Sequence, residues 1–309
     1  MHERIEMIEV GPRDGLQDEE VVLCAEVRAS FVEQALEAGA DLVEAVSFVS
    51  PKRVPQMADP DHVVALVDDG YRERLTALVP NRRGFEQALA SGLTRIRCVV
   101  AASDEMNRRN FGVATEVTAA EVGELAAEHG RDASIGLVIG TSFGCPLEGQ
   151  VPCSRVVELA ADAIAAGVGE IVLADTTGMA NPRLVEERCA ALIEIDAPLL
   201  GAHFHNTRNT GYVNALRAVE VGVRRLDASI GGIGGCPFAP GASGNVATED
   251  LAEMLASIGF EVGLDVDRLL TTTAWLRDHL GHDLPGQLLY AGRAFAAEAE
   301  VAKMTRSNR

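Results

Sequence analysis

Short β-rich runs alternate with longer amphipathic stretches along most of the chain, at a spacing of roughly 25–45 residues. The β-rich runs are IEMIEV (5–10), DLVEAVSF (41–48), RLTALV (74–79), TRIRCVV (94–100), SIGLVIG (134–140), EIVLAD (170–175), LLGAHFH (199–205) and RRLDASI (224–230). Between them lie Ala/Glu-rich helical patterns such as AEVRASFVEQALEAG (25–39) and RVVELAADAIAAG (155–167), each ending in the glycine that commonly stops a helix. Eight strands alternating with helices predict parallel β/α units, and the eightfold count favours a closed barrel over an open doubly wound sheet. An open sheet would be expected to carry a glycine-rich phosphate fingerprint after its first strand, whereas this chain reads VGPRDGLQ (10–17) there. Two further helical stretches, 265–280 and 286–304, follow the last strand. The expected fold is a single α/β domain over 1–309: a (β/α)8 TIM barrel at about 5–262 with additional C-terminal helices at about 263–309.

Composition narrows the function classes. Hydrophobic residues make up 47% and charged residues 24% of 309, the balance of an ordinary packed protein. The 27 Lys+Arg against 46 Asp+Glu give a net charge of −19, which argues against a partner bound through its phosphate backbone. No run of about 18 apolar residues is present, so no membrane helix is expected. The start, MHERIEMIEV, lacks the apolar core of a signal peptide, and a cytoplasmic location is expected. Six cysteines without a C-x-x-C pair read as reduced thiols. Five of them (Cys24, Cys98, Cys145, Cys153, Cys189) read as small buried hydrophobes.

In a barrel the chemistry sits at the C-terminal ends of the strands, so ionisable residues there are site candidates. The first strand ends in Arg13-Asp14-Gly15-Leu16-Gln17, which is either a surface ion pair or part of a site. Glu44 lies inside an apolar second strand that ends at Ser47, and a carboxylate there must be paired or metal-bound. Asp175 ends the sixth strand, and the next helix begins near Pro182, too far on for Asp175 to cap it. His203 and His205, two apart on the seventh strand, point to one face as a divalent-metal pair would. After the eighth strand the glycine-rich run 231–235, Cys236-Pro237 and Gly241-Ala242-Ser243-Gly244-Asn245 read as a flexible linker, a phosphate cradle or a mobile site loop. Asp14, His203, His205 and Asn245 together supply mixed O/N ligands without a thiolate, a set suited to octahedral Mg²⁺ or Mn²⁺. The Cys236 thiol would serve beside it as an acid/base group or a nucleophile.

These residues sit in longer motifs: EVGPRDGLQ (9–17), SFVSPKRVPQMAD (47–59), PNRRGFEQAL (80–89), FGCPLEGQVP (143–152), LADTTGMANP (173–182), HFH (203–205) and GGCPFAPGASGNVATEDL (234–251). In them the chain resembles the 3-hydroxy-3-methylglutaryl-CoA lyase family, TIM-barrel metallolyases related to the Claisen-type isopropylmalate and homocitrate synthases. The resemblance covers nearly the whole chain. It implies retro-Claisen cleavage of 3-hydroxy-3-methylglutaryl-CoA to acetyl-CoA and acetoacetate, chemistry that belongs to leucine degradation and ketone-body formation. It also implies that Asp14, His203, His205 and Asn245 bind the divalent cation, and that Arg13 stands by the thioester carbonyl where enolate charge develops. Cys236 would protonate the acetyl-CoA carbanion, Glu44 and Asp175 would be supporting or acid/base groups, and Gln17 and Ser47 would meet the substrate.

Two departures from the family pattern bear on the substrate. Asn206-Thr207-Arg208-Asn209-Thr210-Gly211 follows the histidines in place of an Asp-Thr and Tyr-Gly-Gln-like stretch, and Gln17 is followed by Asp18-Glu19-Glu20 where a Lys is common. Both are expected to lie near the acyl group, leaving open another 3-hydroxyacyl-CoA, such as isohexenylglutaryl-CoA or a smaller thioester. A Claisen-type synthase, and a binding barrel without catalysis, are the remaining readings. The diphosphate of an acyl-CoA would need a local basic patch, for which Arg82, Arg83, Arg108 and Arg109 are candidates against a reading as solvated loop charge. No nucleic acid or membrane partner is expected, and a homodimer or higher homo-oligomer is the expected assembly.

Overall fold

A computed structural model describes residues 3–235 and 244–294. Each strand falls on one of the eight predicted runs, β4 passing the end of its run by one residue: β1 Glu6–Glu9, β2 Leu42–Ser47, β3 Leu75–Val79, β4 Arg95–Ala101, β5 Ser134–Gly140, β6 Glu170–Asp175, β7 Leu200–Phe204 and β8 Arg225–Ala228. They pair in parallel and in chain order, and the barrel closes between β1 and β8 with Glu6 opposite Arg225 and Ile8 opposite Asp227. The protein is a (β/α)8 TIM barrel with extra helices.

Helices cover the outside: α1 Ala25–Glu37, α2 Pro60–Leu66, α3 Arg82–Ala90, α4 Asp104–Phe111, α5 Thr115–His129, α6 Cys153–Ala165, α7 Pro182–Glu194, α8 Gly211–Val221 and α9 Thr248–Ser257. The predicted stop of α1 is real. Gly39 takes φ 103° where the chain turns back against the Gly263 carbonyl, and a Cβ there would sit 2.3 Å from that oxygen. After the barrel, α10 (Val266–Leu280) packs Trp275 on the fully buried Phe31 of α1, with ring centroids 6.1 Å apart. Burying such a ring supplies about 1.5–3 kcal/mol. The second predicted extension helix is short. Only α11, Leu288–Ala291, forms before Gly292 at φ 71° ends it; the rest of the predicted stretch beyond 294 lies outside the described residues. No helix of the described residues is long and apolar enough to cross a membrane. Of the cysteines expected to be buried, Cys98, Cys145 and Cys189 are. Cys24 is exposed ahead of α1 and Cys153 is half-buried as the first residue of α6, because helix starts lie at the surface. All five are free thiols.

The barrel interior is not uniformly aliphatic. Val99, Val138, Val172 and Ala174 form an apolar layer, while Arg97 of β4, Glu170 of β6, and Arg225 and Asp227 of β8 fill the space below with ions. Gly136 of β5, the register partner of Arg97, makes room for this layer. A Cβ on it would lie 2.6 Å from Glu170 Oε2.

Two buried carboxylates brace the loops at the barrel mouth. Glu9 at the end of β1 accepts hydrogen bonds from the N–H groups of Gly11 (2.7 Å) and Ile230 (2.9 Å) and from the Thr248 hydroxyl (2.6 Å). Glu249 of α9 accepts from the Gly231 N–H at 3.0 Å. Burial pushes Glu9 up to about 7 and Glu249 up to about 8, against those hydrogen bonds. Both carboxyls thus bind protons more tightly in the folded chain than in the unfolded one. Their contribution to stability is complete below the ordinary glutamate range and is lost as pH rises through 7 and 8. Denaturant titrations are expected to show stability falling by about a few kcal/mol between pH 5.5 and 8.5. The fall should shrink in Glu9→Gln and Glu249→Gln; an unaltered decline in both variants would remove these groups as its source.

Candidate metal centre and active-site cleft

After β1 the chain forms one wide turn, Gly11–Gly15, in which the N–H groups of Arg13, Asp14 and Gly15 all donate to the Val10 carbonyl, at 3.1, 2.7 and 3.2 Å. Pro12, with no N–H to satisfy, suits its start. The turn presents Arg13 and Asp14 side by side at the barrel mouth. The Arg13 guanidinium donates both to Asp14 and to Glu44 of β2.

Asp14 is the meeting point of the site. Its Oδ2 accepts from Asn245 Nδ2 at 2.9 Å and lies 3.8 Å from His203 Nε2 and 3.7 Å from His205 Nε2. The two rings sit on one face of β7 and its continuation, centroids 5.1 Å apart, as their spacing predicts. One ligand atom from each of Asp14, His203 and His205 falls within 4.8 Å of the others. Asn245 completes the set by a different signal. Its amide N–H groups donate to Asp14 and to the Ile233 carbonyl (3.1 Å), leaving a buried Oδ1 with no hydrogen-bond partner among the described residues. A bare buried acceptor beside Asp14 is what an amide-oxygen metal ligand would present to a cation. The donors are therefore carboxylate O, two imidazole N and amide O, and they fit a hard or borderline divalent cation.

The charge on Asp14 suits that donor set. Burial disfavours the Asp14 carboxylate, but Arg13 and the two histidines hold it well below the usual range. His203 loses basicity to burial and regains more from Asp227 and Asp14, so it stands above its ordinary value; His205, where burial wins, stands below.

The other predicted residues divide. Gln17 and Ser47 line the cleft. Glu44 does not: it is fully buried, bonded to Arg13 and 3.6 Å from Arg97 Nη1, so it holds the guanidinium and does not reach a ligand. Asp175 is also turned away. Ala174 and Thr176 face the cleft, while the Asp175 carboxylate accepts from the N–H groups of Met179 (2.7 Å) and Ala180 (3.1 Å). As expected it does not cap α7, whose cap is Asn181. Burial nevertheless pushes its carboxyl up to about 6. Cys236 lies outside the described residues; Gly235 before it lines the cleft.

The two sequence departures divide: the stretch after the histidines braces loops, whereas Asp18 of the other lines the cleft beside Gln17. Arg208 donates to the carbonyls of Thr177 (2.9 Å) and Gly178 (2.8 Å), tying the β6 and β7 loops together. The Asn206 side chain accepts from the Gly211 N–H at the start of α8 (3.1 Å). Glu20 is exposed and outside the cleft lining. The arginines considered for an anionic ligand do not line the cleft either. Arg82 is paired with Glu124 and Glu128, and Arg108 with Asp104. Arg53 lines it instead.

Two site residues escape the reading of strand ends. Asp227 lies beside His203 in the β7–β8 register, and its Oδ2 is 3.4 Å from His203 Nδ1. Arg97 backs it at 3.0 Å. The signal was available: a charged residue inside RRLDASI or TRIRCVV is the same anomaly that singles out Glu44.

The cleft itself has a volume of about 1210 Å³, at the upper end for small-molecule sites. Its lining joins Asp14, His203 and His205 with Val49, Val54, Phe111, Val113 and Val117, a wall suited to a partly apolar ligand.

Known proteins share this arrangement of chain. The HMGL-like family model matches residues 4–275. The chain is 43% identical to the (R)-citramalyl-CoA lyase of Chloroflexus aurantiacus, over 97% of this chain and 98% of that one. It is 36% identical to the hydroxymethylglutaryl-CoA lyase YngG of Bacillus subtilis, over 93% and 96%. Among solved structures, an HMG-CoA lyase from Acinetobacter baumannii in complex with coenzyme A and 3-methylmalate superposes with a TM-score of 0.91 at 37% identity, covering 95% of this chain and 96% of that one. The chain belongs to the HMGL-like family and is, with these relatives, a lyase.

Proposed function

We propose that this protein is a divalent-metal-dependent carbon–carbon lyase that cleaves a 3-hydroxy-3-methyl acyl-CoA carrying a second carboxylate, releasing acetyl-CoA and a keto acid. The observation that carries this reading is the cluster of Asp14, His203 and His205 with the orphaned Asn245 Oδ1, set beside Arg13 at the head of a long cleft. Asp14, His203, His205 and Asn245 would hold Mg²⁺ or Mn²⁺, which supplies Lewis-acid polarisation of the C3 oxygen and a place for a neighbouring carboxylate oxygen.

The chain's own groups account for the rest. The C3 hydroxyl gives up its proton to one of the ionisable groups beside the metal site, C3 becomes a carbonyl carbon, and the C2–C3 bond breaks with its electron pair left on C2. That pair delocalises into the thioester as an enolate, whose oxygen the Arg13 guanidinium stabilises. Asp14 and Glu44 fix the guanidinium before the charge develops, which is what makes such a donor effective. Glu44 is thus a positioning residue. Asp175, facing backbone amides, holds the β6 loop. Protonation of C2 is assigned to the Cys236 thiol on residue chemistry and family resemblance.

For the substrate we favour (R)-citramalyl-CoA, whose cleavage yields pyruvate. The 43% relative bears that name, and ligand chemistry agrees. A carboxylate directly on C3 lies next to the C3 oxygen and needs no separate side-chain cation. Among the described residues lining the cleft the arginines are Arg13 and Arg53, and Arg53 reaches towards the Asn110 carbonyl. A second reading, 3-hydroxy-3-methylglutaryl-CoA with one more methylene, is favoured by the relatives of that name at 36–38% identity. Acetyl-CoA release from both thioesters with Mg²⁺ or Mn²⁺, and with EDTA, separates them. The expected result is chelator-sensitive cleavage with kcat/KM at least about tenfold higher for citramalyl-CoA, the scale of one methylene. A preference for hydroxymethylglutaryl-CoA would establish the second reading, and cleavage indifferent to EDTA would overturn the metal assignment.

A further inference from the structure

Four ionic groups run through the barrel interior between the two halves of the site. Arg97 of β4 is 2% exposed. Its Nη1 lies 3.1 and 3.0 Å from the Asp227 oxygens and 3.6 Å from Glu44 Oε2, while its other face is forked onto Glu170 at 2.7 and 3.1 Å. Asp227, 4% exposed, then faces His203 Nδ1 from the next strand at 3.4 Å. Glu44 holds Arg13 in the same way. Asp227 therefore has one neighbour that fixes it and one that it can fix. His203 needs such a partner, because an imidazole can present either nitrogen and only Nε2 points at Asp14.

We propose that Asp227, anchored by Arg97, is a positioning residue that orients the His203 ring and fixes its tautomer, with the proton on Nδ1 and Nε2 left as the metal donor. The inference rests on the metal site proposed above. A carboxylate behind a ligating histidine raises its donor strength, and loss of such a partner costs about 10–100-fold in metal affinity. Glu170 is the built-in control. It neutralises the same guanidinium from the other side, and its ion pairs are with Arg97 and Arg225.

Mn²⁺ binding by calorimetry to the wild-type chain, Asp227→Asn and Glu170→Gln, without substrate, tests this directly. The expected result is binding about 10–100-fold weaker in D227N and within about threefold of wild type in E170Q, with unaltered far-ultraviolet circular dichroism in both. Equal affinity in D227N and wild type would overturn the inference while leaving the metal site standing. So would equal losses in D227N and E170Q, which would reduce Asp227 to charge balance in the core. A wild-type chain that binds no Mn²⁺ would instead overturn the metal site itself. Should D227N not fold, imidazole nitrogen NMR of the wild-type chain at pH 8 reads the same point. The Nδ1-protonated form of His203 is expected, and the opposite tautomer overturns the proposal.

Discussion

His203→Ala is expected to lose bound metal and turnover together, with kcat/KM down at least about 10³-fold, because the cation's Lewis-acid and templating roles go with it. The variant takes one imidazole from a set of four donors whose remaining members come from separate segments: Asp14 from the turn after β1, His205 from the end of β7, Asn245 from beyond β8. It also leaves Asp227 facing a void, although Arg97 still neutralises that carboxylate, so the barrel should fold. Metal content after dialysis and turnover with added Mn²⁺ are the measurements. Turnover within tenfold of wild type would remove His203 from the ligand set.

Arg13→Lys should separate chemistry from metal binding. Lysine keeps a positive charge beside Asp14 and Glu44 but has neither the planar fork nor the reach to engage both while facing a substrate oxygen. Removing one preorganised donor of this kind costs about 10²–10³ in kcat. Metal affinity should stay within a few-fold, since Arg13 contributes no ligand atom. If kcat instead falls by less than tenfold, the enolate is stabilised elsewhere; if metal is lost in parallel, Arg13 acts only by holding Asp14 in place.

Much of this was legible in the chain itself. The strands announced themselves as apolar runs at regular intervals, and the spacing of His203 and His205 put both on one face before any coordinates existed. The strand-end rule then found Arg13, Asp14 and Asn245. It failed where a side chain acts from inside the barrel or turns outward past the strand end. Asp227 and Arg97 sit below the mouth, inside their strands, and Asp175 passes the rule while bonded to the amides of the loop that follows it. Glu44 was recognisable as an anomaly but not as the partner of Arg13, since the pairing joins positions 31 residues apart. The loop arginines misled for a related reason. Charge is visible in sequence, but the carboxylates that consume it, Glu124 and Glu128 for Arg82, lie on a different helix.

The barrel closes by pairing its first strand with its last. Asp14 follows the first of these, the two histidines lie on and just beyond the neighbouring β7, and Asn245 follows the last, so the donors straddle the closing seam. During synthesis, a chain emerging from the ribosome holds Asp14 for more than two hundred residues before Asn245 exists. On the proposed ligand set, ion capture would therefore wait for the closed ring, and a retained cation would report that the ring has shut.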